Sequence, residues 1–374
     1  MEEYLICVSC GYLEKKFAYQ CSMCGGILYH AKERLLSAQA HVNISLGEGN
    51  IPLIPMLKSE TTVGIKKLYV KCEFMNPTGS FKDRGMVTAI EKATELGIKK
   101  IIAASAGNAG AAAAAYGSRA GFPVSVIVPE STSPEKVRQA VEYGAKVISI
   151  KGNYSDSFQE AKELAKNPKW YNVTTTYINP YLWSGYENIC YELVKERRNI
   201  HWIIVPIGAG PLLGALYHGF INLKTKGIIK TIPRLAGVQS IYCCPIVQAF
   251  SQNSTIVKEW NMTKNTIASG LNDELKGYTR DGEYTLSCIY ASNGKATAVS
   301  DEEIIEARRI MGKEGLYVEP AAAAPVAAAK KMFENGSIKK EETVVVIATG
   351  SGLKSSPQKT ERIMQMEHES AKRK

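Results

Sequence analysis

No stretch of the 374-residue sequence approaches the roughly 20 uninterrupted apolar residues that a membrane-spanning helix needs. The opening MEEYLICVSC carries acids where a secretory leader carries bases, and its apolar run is too short for one. A cytoplasmic protein with no membrane partner is therefore expected. No tract repeats itself, and low complexity is confined to the charged tail EHESAKRK. There is no basic stripe with interleaved aromatics, although the net charge is +10 and the pI about 9.0. Scattered lysines speak against a nucleic-acid partner and suit the attraction of small anionic metabolites. The nine cysteines are too unevenly placed along so long a chain to be a disulfide scaffold.

What is present is an ordinary globular composition, 45% hydrophobic and 22% charged, at a length that suits two or three domains. CVSC and CSMCGG place Cys7, Cys10, Cys21 and Cys24 in two pairs, each with a two-residue spacer. Such spacers aim both sulfurs of a pair at one metal, and Gly11, Gly25 and Gly26 supply permissive backbone. Residues 1–30 are thus expected to form a four-thiolate, zinc-ribbon-like knuckle, a structural staple rather than a nucleic-acid binder. Cys72, Cys190, Cys243, Cys244 and Cys288 are expected to be buried small apolar residues.

Beyond the knuckle, strand-like Val/Ile runs alternate with helix-like segments. KKIIAAS precedes the alanine-rich AGAAAAAYGSRAG; FPVSVIVPE, AKVISIKG, HWIIVPIGAG, RLAGVQS and ETVVVIATGSG follow. Continuous apolar runs separated by helices indicate parallel strands covered on both faces. The expected class is α/β, with two open, mostly parallel sheets flanked by helices. Ligands of such sheets sit outside the carboxyl ends of strands, on loops that turn into helices.

Three loops of that kind carry chemistry. GAGPLLG is a glycine turn into a helix, able to present free N–H groups to a single phosphate. It lacks the lysine and hydroxyl of a P-loop and the spacing of a dinucleotide fingerprint. SAGNAG offers a second anion cradle with the amide of Asn108, and ATGSG offers the hydroxyl of Thr349. A lysine, Lys82, stands in MNPTGSFKDRGM where a helix should begin, a place that favours anions over a bare cation. A phosphate cradle, an amide, a hydroxyl and an amine together indicate pyridoxal 5′-phosphate, with Lys82 forming its Schiff base.

NPTGSFKDRG, SAGN, PIGAG and TGSGLK occur in an order that resembles the tryptophan-synthase-β-like (type II) pyridoxal-phosphate enzymes, from Gly47 to Lys354. Within that family the chain is most similar to the threonine synthases, which often begin with a similar cysteine knuckle. AVSDEEIIEARRIMGKEGLYVEPAAAA also resembles the family's helix and following EPA segment. The resemblance implies the type II fold and a lyase that converts O-phosphohomoserine and water to threonine and phosphate, through γ-elimination and β-addition. It implies Lys82 as Schiff-base and proton-shuttling lysine, and Asn108 as donor to the cofactor's 3′-oxygen. Gly208, Ala209, Gly210, Pro211 and Leu212 would hold the phosphate, and Thr349 would face the ring nitrogen. Ser105, Ala106, Gly107 and Ala109 would bind the substrate carboxylate. A large domain (residues 31–85 and 185–365), a smaller mobile one (86–184) and a charged tail (366–374) are expected, as is a homodimer.

The chain departs from the family pattern in three places. NPYLWSGYEN has Leu182 and Tyr186 where threonine synthases usually carry arginine and glutamine. The phosphate turn contains Pro211, which has no N–H, and Ala106 and Ala109 replace hydroxyl residues. Loss of a bidentate arginine is not a conservative change. These departures leave room for a sibling activity: a serine/threonine dehydratase, or an enzyme exchanging the phosphate of O-phosphoserine for a sulfur nucleophile. A zinc-knuckle binding protein on a degenerate enzyme body is a third reading, opposed by the intact Lys82 and Asn108.

Overall fold

The computed structural model describes residues 4–30, 44–261 and 264–354; the expected tail at 366–374 lies outside them. Lys295–Val299, Arg234–Ser240, Trp202–Pro206, Thr343–Ile347, Lys67–Lys71 and Leu53–Pro55 form, in that order, a six-stranded sheet. Only its last strand runs antiparallel. A second sheet, parallel throughout, is ordered Lys146–Ile150, Val124–Pro129, Lys100–Ala104, Trp170–Asn172. Helices cover both, so the central strand Thr343–Ile347 is buried at every residue, which is why it reads as an unbroken β-branched run. Alanines let the helix Asn108–Arg119 lie close on the smaller sheet; it is buried from Ala109 to Gly117. Among the described residues no helix is long and apolar enough to cross a membrane.

The N-terminal knuckle is a small antiparallel sheet of Leu5–Cys7, Leu13–Glu14 and Leu28–His30. It is packed on the body rather than hung from it. Phe17 stacks against Tyr171, the Tyr19 hydroxyl accepts from the Asn172 N–H at 2.7 Å, and the Trp183 indole donates to the Leu28 carbonyl at 3.0 Å. Among the remaining cysteines, Cys72, Cys190, Cys243 and Cys288 are buried, but Cys244 is only half-buried.

A buried ion cluster fixes the start of the helix Lys82–Glu95. Arg84 forks onto Glu73, at 2.6 and 2.8 Å, and onto Glu192, at 2.7 and 2.8 Å. Glu192 also meets Lys71 at 2.8 Å, and Lys71 meets Glu196 at 3.0 Å. Arg84, Glu73 and Lys71 are all buried, so each charge depends on the others for solvation. Replacing Arg84 with alanine strands two carboxylates out of water, and the expected loss of stability is about 3–5 kcal/mol in a urea unfolding titration. Arg84→Lys should recover little of it, because an ammonium cannot reproduce the double fork.

Candidate active site

The carboxyl end of the central strand gathers three segments. The Phe81 N–H donates to the Thr349 carbonyl at 3.0 Å, and the Ser351 N–H to the Gly79 carbonyl at 2.9 Å. The Glu319 N–H donates to the Gly350 carbonyl at 3.0 Å. The lysine turn and the EPA segment are therefore stitched to the strand end that carries Thr349. Gly350 is needed for this convergence, because a side chain there would run into the Glu319 carboxylate.

Lys82 opens its helix with no side-chain cap before it. Its Nζ donates to the Thr175 hydroxyl at 2.7 Å and lies 4.5 Å from the centre of the Phe81 ring. No carboxylate forms an ion pair with it among the described residues. Burial draws the amine down to about 7 from 10.5, while the negative charges of Glu319 and Asp273 pull it partly back. The positive end of the helix dipole disfavours the cation further. A lysine in this state is half neutral near physiological pH, as an amine nucleophile or general base requires.

The glycine turn faces it from the strand Trp202–Pro206. Gly210 has φ +96°, and a side chain there would collide with Thr285. The turn's carbonyls are held from behind: Thr285 Oγ1 donates to Ala209 at 2.5 Å, and the Tyr177 hydroxyl donates to Gly210 at 2.9 Å. The helix Pro211–Thr225 then begins with proline at its first position, so the amides of Leu212 and Leu213 have no acceptor inside the helix. Asp273 packs against Gly208 and accepts from the Tyr278 hydroxyl at 2.5 Å and the Leu275 N–H at 3.2 Å. Burial raises its proton affinity, which the Tyr278 and Leu275 hydrogen bonds and the Lys82 amine partly oppose.

The SAGNAG loop enters the helix Asn108–Arg119 with Ala109 buried, Ser105 and Ala106 half-buried and Gly107 exposed. The Asn108 amide donates to both oxygens of Glu319, at 2.9 and 3.1 Å. Burial raises the proton affinity of Glu319. Lys354 donates to the Thr78 carbonyl at 2.8 Å, and burial lowers its amine to about 8. Thr349 is buried, and the neighbouring Ser80 hydroxyl is buried without a partner among the described residues.

This donor set fits pyridoxal phosphate. A near-neutral amine, helix-start amides behind a left-handed glycine, an amide side chain and the orphaned Ser80 hydroxyl are linked through Glu319 and Asp273, which stand near Lys82, Asn108 and Gly208. Thr175, Asp273, Glu319 and Ser80 were not anticipated from the sequence. Glu319 had a signal, since it immediately precedes the proline that starts the helix Pro320–Glu334; Thr175 and Asp273 had none. Leu182 and Tyr186 are buried in the core, where a side chain at Gly85 would strike the Leu182 carbonyl and the Tyr186 ring.

At the knuckle, the four cysteine sulfurs lie within 4.8 Å of one another. Contacts of 3.5 Å (Cys7–Cys24), 3.7 Å (Cys10–Cys21) and 3.4 Å (Cys10–Cys24) are close to the spacing that Zn–S bonds of about 2.3 Å impose on a tetrahedron.

Residues 44–350 match the family model for pyridoxal-phosphate-dependent enzymes. The chain is 40% identical to the threonine synthase of Methanocaldococcus jannaschii, over 83% of this chain and 76% of that one. It is 37% identical to the threonine synthase of Methanosarcina acetivorans, over 94% and 92%. Among solved structures, maize serine racemase superposes with a TM-score of 0.70 at 23% identity, covering 87% of this chain and 94% of that one. The tomato threonine deaminase isoform 2 gives 0.68 at 22% identity, covering 80% and 83%.

The buried amine makes a pH-dependent expectation. In cofactor-free protein, acylation of Lys82 should rise with a midpoint near pH 7, far below that of exposed lysines, as read by peptide mass spectrometry. Glu319→Gln removes a charge that holds the proton on the amine, so the midpoint should move lower still. A midpoint near 10 would refute the dry environment.

Proposed function

The chain belongs to the pyridoxal-phosphate-dependent enzymes, and from that membership we propose that it acts as a threonine synthase, converting O-phosphohomoserine and water to threonine and phosphate. The likeness to archaeal threonine synthases over most of the chain carries this reading, and the near-neutral Lys82 gives it a chemical centre. Bound in the cleft, pyridoxal phosphate supplies an aldehyde for the substrate amine and a ring that withdraws charge from Cα. The rest falls to the protein. Lys82 holds and moves protons at the substrate carbons as acid and base. Across the reaction phosphate leaves Cγ and Cγ takes a proton, while Cβ gives up one proton and takes the hydroxyl of water.

Gly208 to Leu212 would hold the cofactor phosphate through their amides, Pro211 giving none. Asn108 would donate to the cofactor's ring oxygen, and the uncharged hydroxyl of Thr349 would stand by the ring nitrogen. Ser105, Ala106, Gly107 and Ala109 would take the substrate carboxylate at the start of their helix. Residues 86–184 would close over the substrate as a unit, against a large domain of residues 31–85 and 185–365. The reading includes a cytoplasmic homodimer; nine free thiols suit a reducing compartment. Cys7, Cys10, Cys21 and Cys24 would hold a structural zinc.

Leu182 and Tyr186 support a second reading. Both are core residues, so neither can replace a phosphate-clamping arginine. A serine/threonine dehydratase or an O-phosphoserine-using synthase needs no such clamp at that position.

Incubation of the loaded enzyme with O-phosphohomoserine should release phosphate and threonine in equal amounts, and Lys82→Ala should lower the rate by about 10²–10⁴ or more. Keto acid from serine or threonine, or phosphate release from O-phosphoserine alone, would establish the second reading instead. Elemental analysis should find one zinc per chain, and Cys10→Ser should lose it together with thermal stability.

A further inference from the structure

Behind the glycine turn, the described residues line a second, partly open cavity of about 280 Å³. Its wall combines the knuckle (Tyr19 to Ile27), the helix Tyr154–Leu164 of the smaller sheet, residues 176–178 and residues from 259 to 281. None of Lys82, Asn108, Gly208–Leu212 or Thr349 lines it. The volume suits one metabolite of amino-acid size, below the range of about 300–1,000 Å³ that larger ligands occupy.

The wall carries two acids, Glu259 and Asp281, and two bases, Lys162 and Arg280; Glu259 accepts from the Gly277 N–H at 2.9 Å. Asp281 is buried, and one of its oxygens accepts from the Tyr177 N–H at 3.1 Å. Burial pushes its carboxyl up to about 7; Lys162 is near enough to pull it partly back, yet the two close no ion pair among the described residues. Arg280 donates to the carbonyls of Cys24 and Gly25, at 3.3 and 3.4 Å, and closes no ion pair either. A partly open space with two acids and two bases in its wall is matched by a ligand that carries both charges. The faces of Tyr19 and Tyr278 leave an apolar remainder for a small side chain.

The position of the cavity gives an occupant a route to the cleft. Tyr278 donates to Asp273, which packs against Gly208, and the Tyr177 hydroxyl holds the Gly210 carbonyl. Thr176 follows the residue that receives the hydrogen bond of Lys82. We propose that this cavity is an effector site for a free α-amino acid, with the ligand's carboxylate between Lys162 and Arg280 and its ammonium on Asp281. An occupant ties the knuckle to the smaller sheet and to the back of the glycine turn. By linkage, whatever it changes in the cleft's affinity the cleft's ligand changes in its own.

The test titrates the purified holoenzyme with glycine and with L-alanine, L-serine, L-threonine, L-valine, L-isoleucine, L-methionine and, separately, inorganic phosphate. Binding is followed by calorimetry, and the cofactor absorption band in parallel. At least one amino acid should bind without moving the band, which separates it from binding in the cleft. Its affinity should fall tenfold or more in Lys162→Ala, a change at a half-exposed helix position, and in Asp281→Asn, while the spectrum and turnover of both variants without effector persist. Three results would overturn the proposal: no amino acid binding outside the band-shifting site, unchanged affinity in Lys162→Ala, or binding of phosphate alone. Because the readout is binding, failure of the threonine synthase assay leaves this test standing, and the reverse also holds.

Discussion

The first turn of the helix Lys82–Glu95 carries two cations with opposite environments. Arg84 is met by two carboxylates through four hydrogen bonds, while Lys82, two residues earlier, receives one hydroxyl and no ion pair. The contrast is a consequence of where carboxylates can reach. Glu73 comes from the short turn before the lysine loop and Glu192 from the helix Asn188–Glu196, so both approach from the side away from the cleft. They anchor the backbone through Arg84 and leave the cleft side dry. An unanchored helix start could turn the lysine toward water, and its amine would regain an ordinary proton affinity.

Around that amine the titrating groups form one set. Burial pushes Glu319 and Asp273 toward their protonated forms and pushes Lys82 and Lys354 toward their neutral ones. Each shift is opposed by the charges of the others, so protons are distributed over the set rather than owned by single residues. A phosphate-bearing ligand entering such a site adds negative charge. Such charge opposes the loss of protons throughout the set. This is a reason for two acids to stand close to a site built for anions.

Most of the architecture was legible because parallel, doubly covered strands must be apolar throughout, and Val124–Pro129, Trp202–Pro206 and Thr343–Ile347 show it. Two strands were not. Lys295–Val299 is an edge strand, half-buried over most of its length, and its KATAV sequence has no apolar run. Trp170–Asn172 is too short for periodicity to show. The same distinction holds in the cleft. Lys82, Asn108 and the glycine turn lie in local patterns of small residues at helix starts. Thr175 reaches the cleft only because the chain folds back over 93 residues from Lys82, and Asp273 comes from farther still along the chain, so no local pattern marks either. The clustering of Cys7, Cys10, Cys21 and Cys24 was legible for the opposite reason, since their spacing alone nearly closes the site.

The consecutive residues Thr174, Thr175 and Thr176 show how the parts are coupled. The Thr174 hydroxyl accepts from the Ala104 N–H at 2.9 Å, which fastens this segment to the edge of the smaller sheet just before the SAGNAG loop. The Thr175 hydroxyl accepts from Lys82. The Thr176 hydroxyl accepts from the Ile178 N–H at 3.2 Å and shapes the wall of the rear cavity. Neighbouring residues in this bend, which the Thr176 N–H closes onto the Thr174 carbonyl at 3.0 Å, cannot move independently by more than the soft torsions between them allow. A displacement of the smaller sheet is therefore felt at the hydroxyl that positions the amine. Substrate closure would then act on one hydrogen-bond acceptor through one short piece of backbone, with no need for a longer chain of contacts.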